Sequence, residues 1–364
     1  MEKILRKDID KLNAYVPGKP IDLVERQFGI KKAIKLGSNE NSFGAPAKAK
    51  SAIKKSLNEI FRYPDGTCYY LRKTLAKKLK VQPNSLIFGN GSDELIDIII
   101  KAFLNPKEEV LTSKTTFVEY EIIAKANGFK AKSVPLKEFK YDLEMLKKKI
   151  TDKTKVIFIA NPNNPTGTYN NKKELLGLIN NLPQDKLIVV DEAYIEFVDA
   201  PDFPRILKLV NKKNLIILRT FSKAYGLAGL RIGYAIANPK FIQAMERIRQ
   251  PFNVNIMAQR AAEAALSDTA FVFRTAKIVL TEKYKLYNEL TRMGISYIPS
   301  QANFIMFKTA MDGQLLCKKL IKKGIIARDL KQYKLNNYVR ITIGKPGENK
   351  IFIKKLKEIF AEDK

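Results

Sequence analysis

What most constrains this chain lies between Leu86 and Tyr234, where six short apolar runs alternate with segments of helical period. The runs occupy residues 86–88, 110–111, 156–159, 187–190, 215–218 and 232–234. Apolar strands without polar alternation are buried on both faces, which requires a mostly parallel sheet covered by helices on either side. Helices are predicted between the strands at 93–103, 118–127 and 143–150, the alternation of an α/β unit. After Pro251 the pattern changes. One long helical stretch is predicted at 256–293, followed by a strand at 304–307, a helix at 314–323, short strands at 325–326 and 338–343, and a last helix at 350–360. The expected division is an N-terminal arm (1–40) packing with the smaller unit, a large α/β unit (41–250) and a smaller α+β unit (251–364). The arm, with Pro17, Gly18 and Pro20, reads as having little sheet character.

In an open α/β sheet, functional groups gather at the carboxyl ends of the strands. Four predicted strand ends carry polar residues that packing alone does not call for. Gly89-Asn90-Gly91-Ser92-Asp93-Glu94 follows the first run, and Asn161-Pro162-Asn163-Asn164-Pro165-Thr166-Gly167 the third. Asp191-Glu192-Ala193-Tyr194 follows the fourth. Thr220-Phe221-Ser222-Lys223-Ala224-Tyr225-Gly226 follows the fifth, with Gly229-Leu230-Arg231-Ile232-Gly233 beyond it. Each has a bland reading by itself, such as a tight turn, a helix cap or a surface lysine. Their succession at neighbouring strand ends is what points to chemistry.

Composition narrows which chemistry. The chain of 364 residues has no histidine and only two cysteines, Cys68 and Cys317. Ser-His and Cys-His nucleophile mechanisms are therefore excluded, and catalysis falls to lysine, tyrosine, a carboxylate or a cofactor. Neither a disulfide framework nor a metal site is expected, which suits a reducing cytoplasm. No apolar run approaches the roughly 20 residues that span a bilayer, and the first residues lack a secretory h-region. The formal net charge is +29, but the lysines are scattered as pairs and triplets without interleaved aromatics. Solvated helix faces are expected rather than a nucleic-acid surface.

The order N-P-N-N-P-T-G, D-E-A-Y and T-F-S-K-x-Y-G-L-A-G-L-R-I-G resembles the fold-type-I aminotransferases over nearly the whole chain. The resemblance implies pyridoxal 5′-phosphate as cofactor and an α/β fold with a mostly parallel central sheet and a smaller α+β unit. Lys223 would be the covalent anchor and proton carrier, and Asp191 the partner of the pyridinium nitrogen. Tyr194 and Asn164 would bond the phenolic oxygen. Gly91, Ser92 and Asp93 would open a helix towards the phosphate, with Ser222 and Arg231 adding contacts. Phe117 would lie against the cofactor face.

Within that group the likeness is closest to the histidinol-phosphate aminotransferase family. The Leu12–Gly18 stretch, L-N-A-Y-V-P-G, is similar to its arm, with Ala14 where proline is usual, and Asn39-Glu40-Asn41-Ser42-Phe43-Gly44 is similar to its N-E-N-P-F-G element, with Ser42 in place of proline. Arg62-Tyr63-Pro64 matches an element whose tyrosine reaches the cofactor phosphate of a partner subunit, implying a homodimer. Arg328 and Arg340 match its two C-terminal arginine elements and, with Tyr15 and Asn39, complete the implied substrate set. The implied reaction is transamination of histidinol phosphate with 2-oxoglutarate. An aromatic amino-acid aminotransferase and a phosphothreonine-type decarboxylase share the cofactor residues and stay open as alternatives. A polyanion-binding protein on an inert fold is the reading from a different class.

Overall fold

The computed structural model describes residues 4–6, 9, 12, 14 and 16–362. Seven strands form the central sheet: β1 (Leu86–Gly89), β2 (Glu109–Ser113), β3 (Lys130–Val134), β4 (Thr154–Ala160), β5 (Leu187–Asp191), β6 (Leu215–Thr220) and β7 (Gly233–Ala237). Their spatial order is β1-β7-β6-β5-β4-β2-β3. All pairings are parallel except those of β7, which runs antiparallel to both neighbours. The unbroken apolar runs are the reason the inner strands sit at the centre: Ile157, Ile188, Val189, Ile216 and Ile217 are wholly buried. The edge strand β3 (Lys-Ala-Lys-Ser-Val) alternates and exposes its lysines, a pattern not predicted from the sequence.

Because β7 is reversed, its first residue lies beside the last residues of its neighbours: Gly233 pairs with Gly89 of β1 and with Thr220 of β6. The loop carrying Arg231 therefore reaches the same sheet edge as the other polar strand ends. A second, antiparallel sheet follows, with β8 (Tyr297–Ile298), β9 (Phe304–Lys308), β10 (Arg328–Leu330) and β11 (Leu335–Thr342) in the order β8-β9-β11-β10. The helices Gly313–Lys322 and Pro346–Glu362 belong to the separate core around this sheet.

One expectation from the sequence is corrected. The helical stretch predicted at 256–293 is two helices, Ile256–Leu266 and Thr269–Arg292. The break is set by Asp268, whose carboxylate caps the second helix at the Phe271 amide (3.2 Å) and so favours a fresh start. The first of the two buries Ala258, Ala261, Ala262 and Ala265 in the larger core. The N-terminal arm, expected to have little sheet character, holds the helix Ile21–Phe28 and one two-residue strand, Ile34–Lys35, that pairs in parallel with Ile325–Ile326.

Two glycines are expected to respond in opposite directions. Gly226 has φ of +67°, and a Cβ there would lie 2.0 Å from the Gly44 carbonyl oxygen. Gly177 lies within the helix Lys172–Asn180, with nothing within 4 Å of an added Cβ. Gly226→Ala should destabilise by more than about 3 kcal/mol, and Gly177→Ala should stabilise by about 0.5–1 kcal/mol. Equilibrium denaturation of the two variants checks both signs.

Candidate active site

At the carboxyl edge of the central sheet, facing β10 and β11, lies a cavity of about 490 Å³. Lys223, which follows β6, reaches into it with its Nζ 5.8 Å from the Tyr194 ring. Asp191, the last residue of β5, lines it but is only 5% exposed. Burial raises its carboxyl pKa from the ordinary 3.8 to about 6, against the lowering effects of two hydrogen bonds and of Lys223. Those bonds come from the Ala193 amide to Oδ1 (3.0 Å) and from the Tyr120 hydroxyl to Oδ2 (2.8 Å). A carboxylate so placed is costly unless a cation faces it.

The opposite end of the cavity is built for an anion. The helix Ser92–Phe103 opens onto it, preceded by Gly91 at φ 86°, and the first amides of a helix have no partner within it. A Cβ at Gly91 would lie 2.6 Å from the Arg231 guanidinium, and one at Gly233 would lie 2.8 Å from the Ser92 amide nitrogen. Glycine at both positions lets the guanidinium, the helix terminus and β7 converge. Arg231 Nη2 is bound to Asp93 Oδ2 (2.9 Å), so the Asp93 side chain holds an arginine here in addition to standing at the helix start. Ser222 is buried, and its amide bonds Thr220 Oγ1 (3.0 Å).

The remaining wall comes from the second sheet and the N-terminal segment. Arg340 on β11 donates to Asn164 Oδ1 and to the Gly37 carbonyl (3.0 Å). Arg328 on β10 donates to the Val16 carbonyl (2.7 Å). Asn39 Nδ2 donates to the Tyr194 hydroxyl (3.0 Å), and its Oδ1 is a buried acceptor lacking a partner among the described residues. Phe117 lines the cavity and meets Tyr120 edge-on (5.5 Å).

Of the residues singled out in the sequence, Asn39, Ser92, Asp93, Phe117, Asn164, Asp191, Tyr194, Ser222, Lys223, Arg231, Arg328 and Arg340 all line this one cavity, and Gly91 adjoins it. Tyr63 does not: it is 82% exposed and stacks on Phe252 (4.8 Å) away from the cavity. Tyr15 lies outside the described residues. Sequence reasoning missed Tyr120, Gly37 and Gln332. Only Tyr120 left a signal, standing three residues after Phe117, to whose carbonyl its amide donates in the turn that opens the helix (3.4 Å). Among the described residues no group of three His, Cys, Asp or Glu could hold a metal, and no helix is long and apolar enough to cross a membrane.

A lysine amine, a buried carboxylate and a helix-terminal anion site around one cavity on this sheet define a class. The aminotransferase class I and II family model matches residues 31–356, and the chain belongs to that family. More particularly, it is 42% identical to the histidinol-phosphate aminotransferase of Moorella thermoacetica over 98% of this chain and 93% of that one. With the histidinol-phosphate aminotransferase of Caldicellulosiruptor saccharolyticus it shares 43% identity over 98% of this chain and 100% of its relative. The crystal structure of histidinol-phosphate aminotransferase from Sinorhizobium meliloti in complex with pyridoxal-5′-phosphate has TM-score 0.88 and 28% identity, covering 96% of each chain.

The buried carboxylate yields a pH-dependent prediction. A carboxyl whose folded pKa is raised to about 6 from 3.8 contributes stability that is fully present below the lower value and lost as pH rises through the upper one. Cofactor-free Asp191→Asn should therefore be more stable than cofactor-free wild type at neutral pH, by up to about 3 kcal/mol. The gap should close on acidification to below the ordinary aspartate value. Thermal melts of both proteins across that window check it, and a gap independent of pH would contradict it.

Proposed function

We propose that the chain is a pyridoxal-phosphate-dependent aminotransferase that transfers the amino group of histidinol phosphate to 2-oxoglutarate, yielding imidazole-acetol phosphate and glutamate. The residues suit the cofactor on structural grounds. The buried Asp191 calls for a cation such as a ring N–H⁺, and the glycine-cleared helix start with Arg231 and Ser222 suits a phosphate. Bound there, the cofactor supplies an electron sink for the charge left when the substrate carbon loses a proton.

The protein's own groups do the rest. Lys223 anchors the cofactor and carries the proton to and from the substrate carbon. The Tyr194 hydroxyl and Asn164 hold the phenolic oxygen, and Phe117 packs on the ring face. The wall formed by Arg340, Asn39 and Arg328 holds the substrate.

The observation that carries the substrate is the pairing of Arg328 with Arg340. They are directly opposite on the antiparallel strands β10 and β11, so their side chains leave the same face of the sheet. Both are largely buried, at 9% and 6% exposure, and both line the cavity. Two neighbouring guanidinium groups repel one another, and a dianion between them offsets that repulsion. Histidinol phosphate brings a phosphate and glutamate brings two carboxylates, whereas phenylalanine brings one carboxylate. The exposed Ile60, Phe61, Tyr69, Tyr70 and Phe252 around Tyr63 support a homodimer in which Tyr63 serves the neighbouring site, since apolar surface of this kind marks an interface.

The test is a comparison of single amino donors. The wild type should prefer histidinol phosphate to phenylalanine in kcat/KM. Arg328→Ala should narrow that preference by about tenfold or more, as loss of a charge-assisted contact predicts. Equal reactivity of phenylalanine in the wild type would replace this reading with an aromatic amino-acid aminotransferase.

A further inference from the structure

We infer that Tyr120, a wholly buried residue outside the motifs of the sheet edge, is a positioning residue that fixes Asp191 and keeps it anionic through its hydroxyl. The inference rests on the proposed role of Asp191 as partner of the cofactor's ring nitrogen.

The geometry is specific. Tyr120 lies in the helix Glu119–Ala126 and forms part of the cavity wall. Its ring stacks on Phe158 of β4, with centroids 4.9 Å apart and planes within 9°. It also meets Phe117 edge-on at 83°. Packing alone would accept phenylalanine in this slot, because the ring's two stacking partners, Phe158 and Phe117, are apolar. The hydroxyl is the part that packing does not explain, and a buried hydroxyl is costly unless bonded. It is bonded to Asp191 Oδ2 at 2.8 Å, while the Ala193 amide takes Oδ1. Each carboxylate oxygen is thus tied on one side, which sets the plane of the group and aims its remaining lone pairs.

The same bond acts on charge. A donor to the ionised form favours that form, and Tyr120 is first among the groups that lower the Asp191 pKa against burial. The other ionisable groups facing Asp191 are Asp93, which raises its pKa, and Lys223, which lowers it. Tyr194 and Tyr141 stand behind these. Tyr120 cannot serve as the anion itself, because burial and the neighbouring carboxylate hold its own pKa well above the ordinary value. It stays a donor wherever Asp191 is charged. One side chain therefore sets both the anion and, through its edge contact, the Phe117 wall.

The experiment uses holoenzyme of wild type, Tyr120→Phe and Phe158→Leu, the last disturbing the ring stack while leaving the hydroxyl. Retention of pyridoxal phosphate is measured after dialysis at successive pH values from neutral to acid, alongside kcat and KM. Wild type should release cofactor as Asp191 is protonated. In Tyr120→Phe the release midpoint should move upward by about one pH unit, with kcat reduced about tenfold or more and KM little changed. Phe158→Leu should lower the melting temperature without moving the midpoint. A Tyr120→Phe curve that coincides with wild type, or is lowered equally at every pH, overturns the inference and leaves the role of Asp191 standing. If instead Asp191→Asn holds cofactor and turns over like wild type, the reading of Asp191 falls and the inference with it. The two failures are thereby distinguished.

Discussion

A carboxylate placed at the buried end of a central strand is the constraint around which this molecule is arranged. Asp191 ends β5, with β4 and β6 on either side. Taking an anion out of water there is paid for by position: donors from Tyr120 and Ala193 behind it, Lys223 beside it, and an open cavity in front. The unbroken apolar runs that make the strands stable also create the low dielectric that makes the carboxylate costly. Fold and site are two consequences of one pattern.

The second constraint is the joining of two cores across the cavity. The larger core ends at the sheet edge, and the smaller one gathers around β9 and β11. Between them run apolar contacts, such as the Tyr194 ring edge-on to Phe304 (5.2 Å), and directional bonds. Arg340 of β11 reaches Asn164 after β4, and Asn39 takes Thr342 Oγ1 through its amide while holding Tyr194 through its side chain. The segment around Gly37 and Asn39 therefore serves as a strap linking the two sheets at the cavity. Replacing one of these bonds would loosen both the interface and the substrate wall, so the site's geometry depends on contacts formed between residues distant in sequence.

Much of this was legible beforehand where local pattern and tertiary role coincide. The strand ends at Ala160, Asp191 and Thr220 could be read because apolar runs stop abruptly at polar residues, and β-sheet topology places such ends together. Tyr120 was not legible, because a single hydroxyl on an otherwise apolar helix face looks like core until its partner is located. The break before Thr269 was hidden because apolar spacing persists through both helices, and only the Asp268 cap interrupts it. Strand β3 was hidden by its exposed lysines at a sheet edge. Arg328 and Arg340 were visible as arginines. That they face one another follows from the register of β10 on β11, which no local pattern records.

The central claim is that Lys223 carries the cofactor opposite Asp191. Borohydride reduction of the holoenzyme, followed by proteolysis and mass spectrometry of the modified peptide, tests it most directly. The account predicts a phosphopyridoxyl group on Lys223, with little label on any other lysine. A reduced adduct on a different lysine, or none in protein that retains bound cofactor, would contradict it.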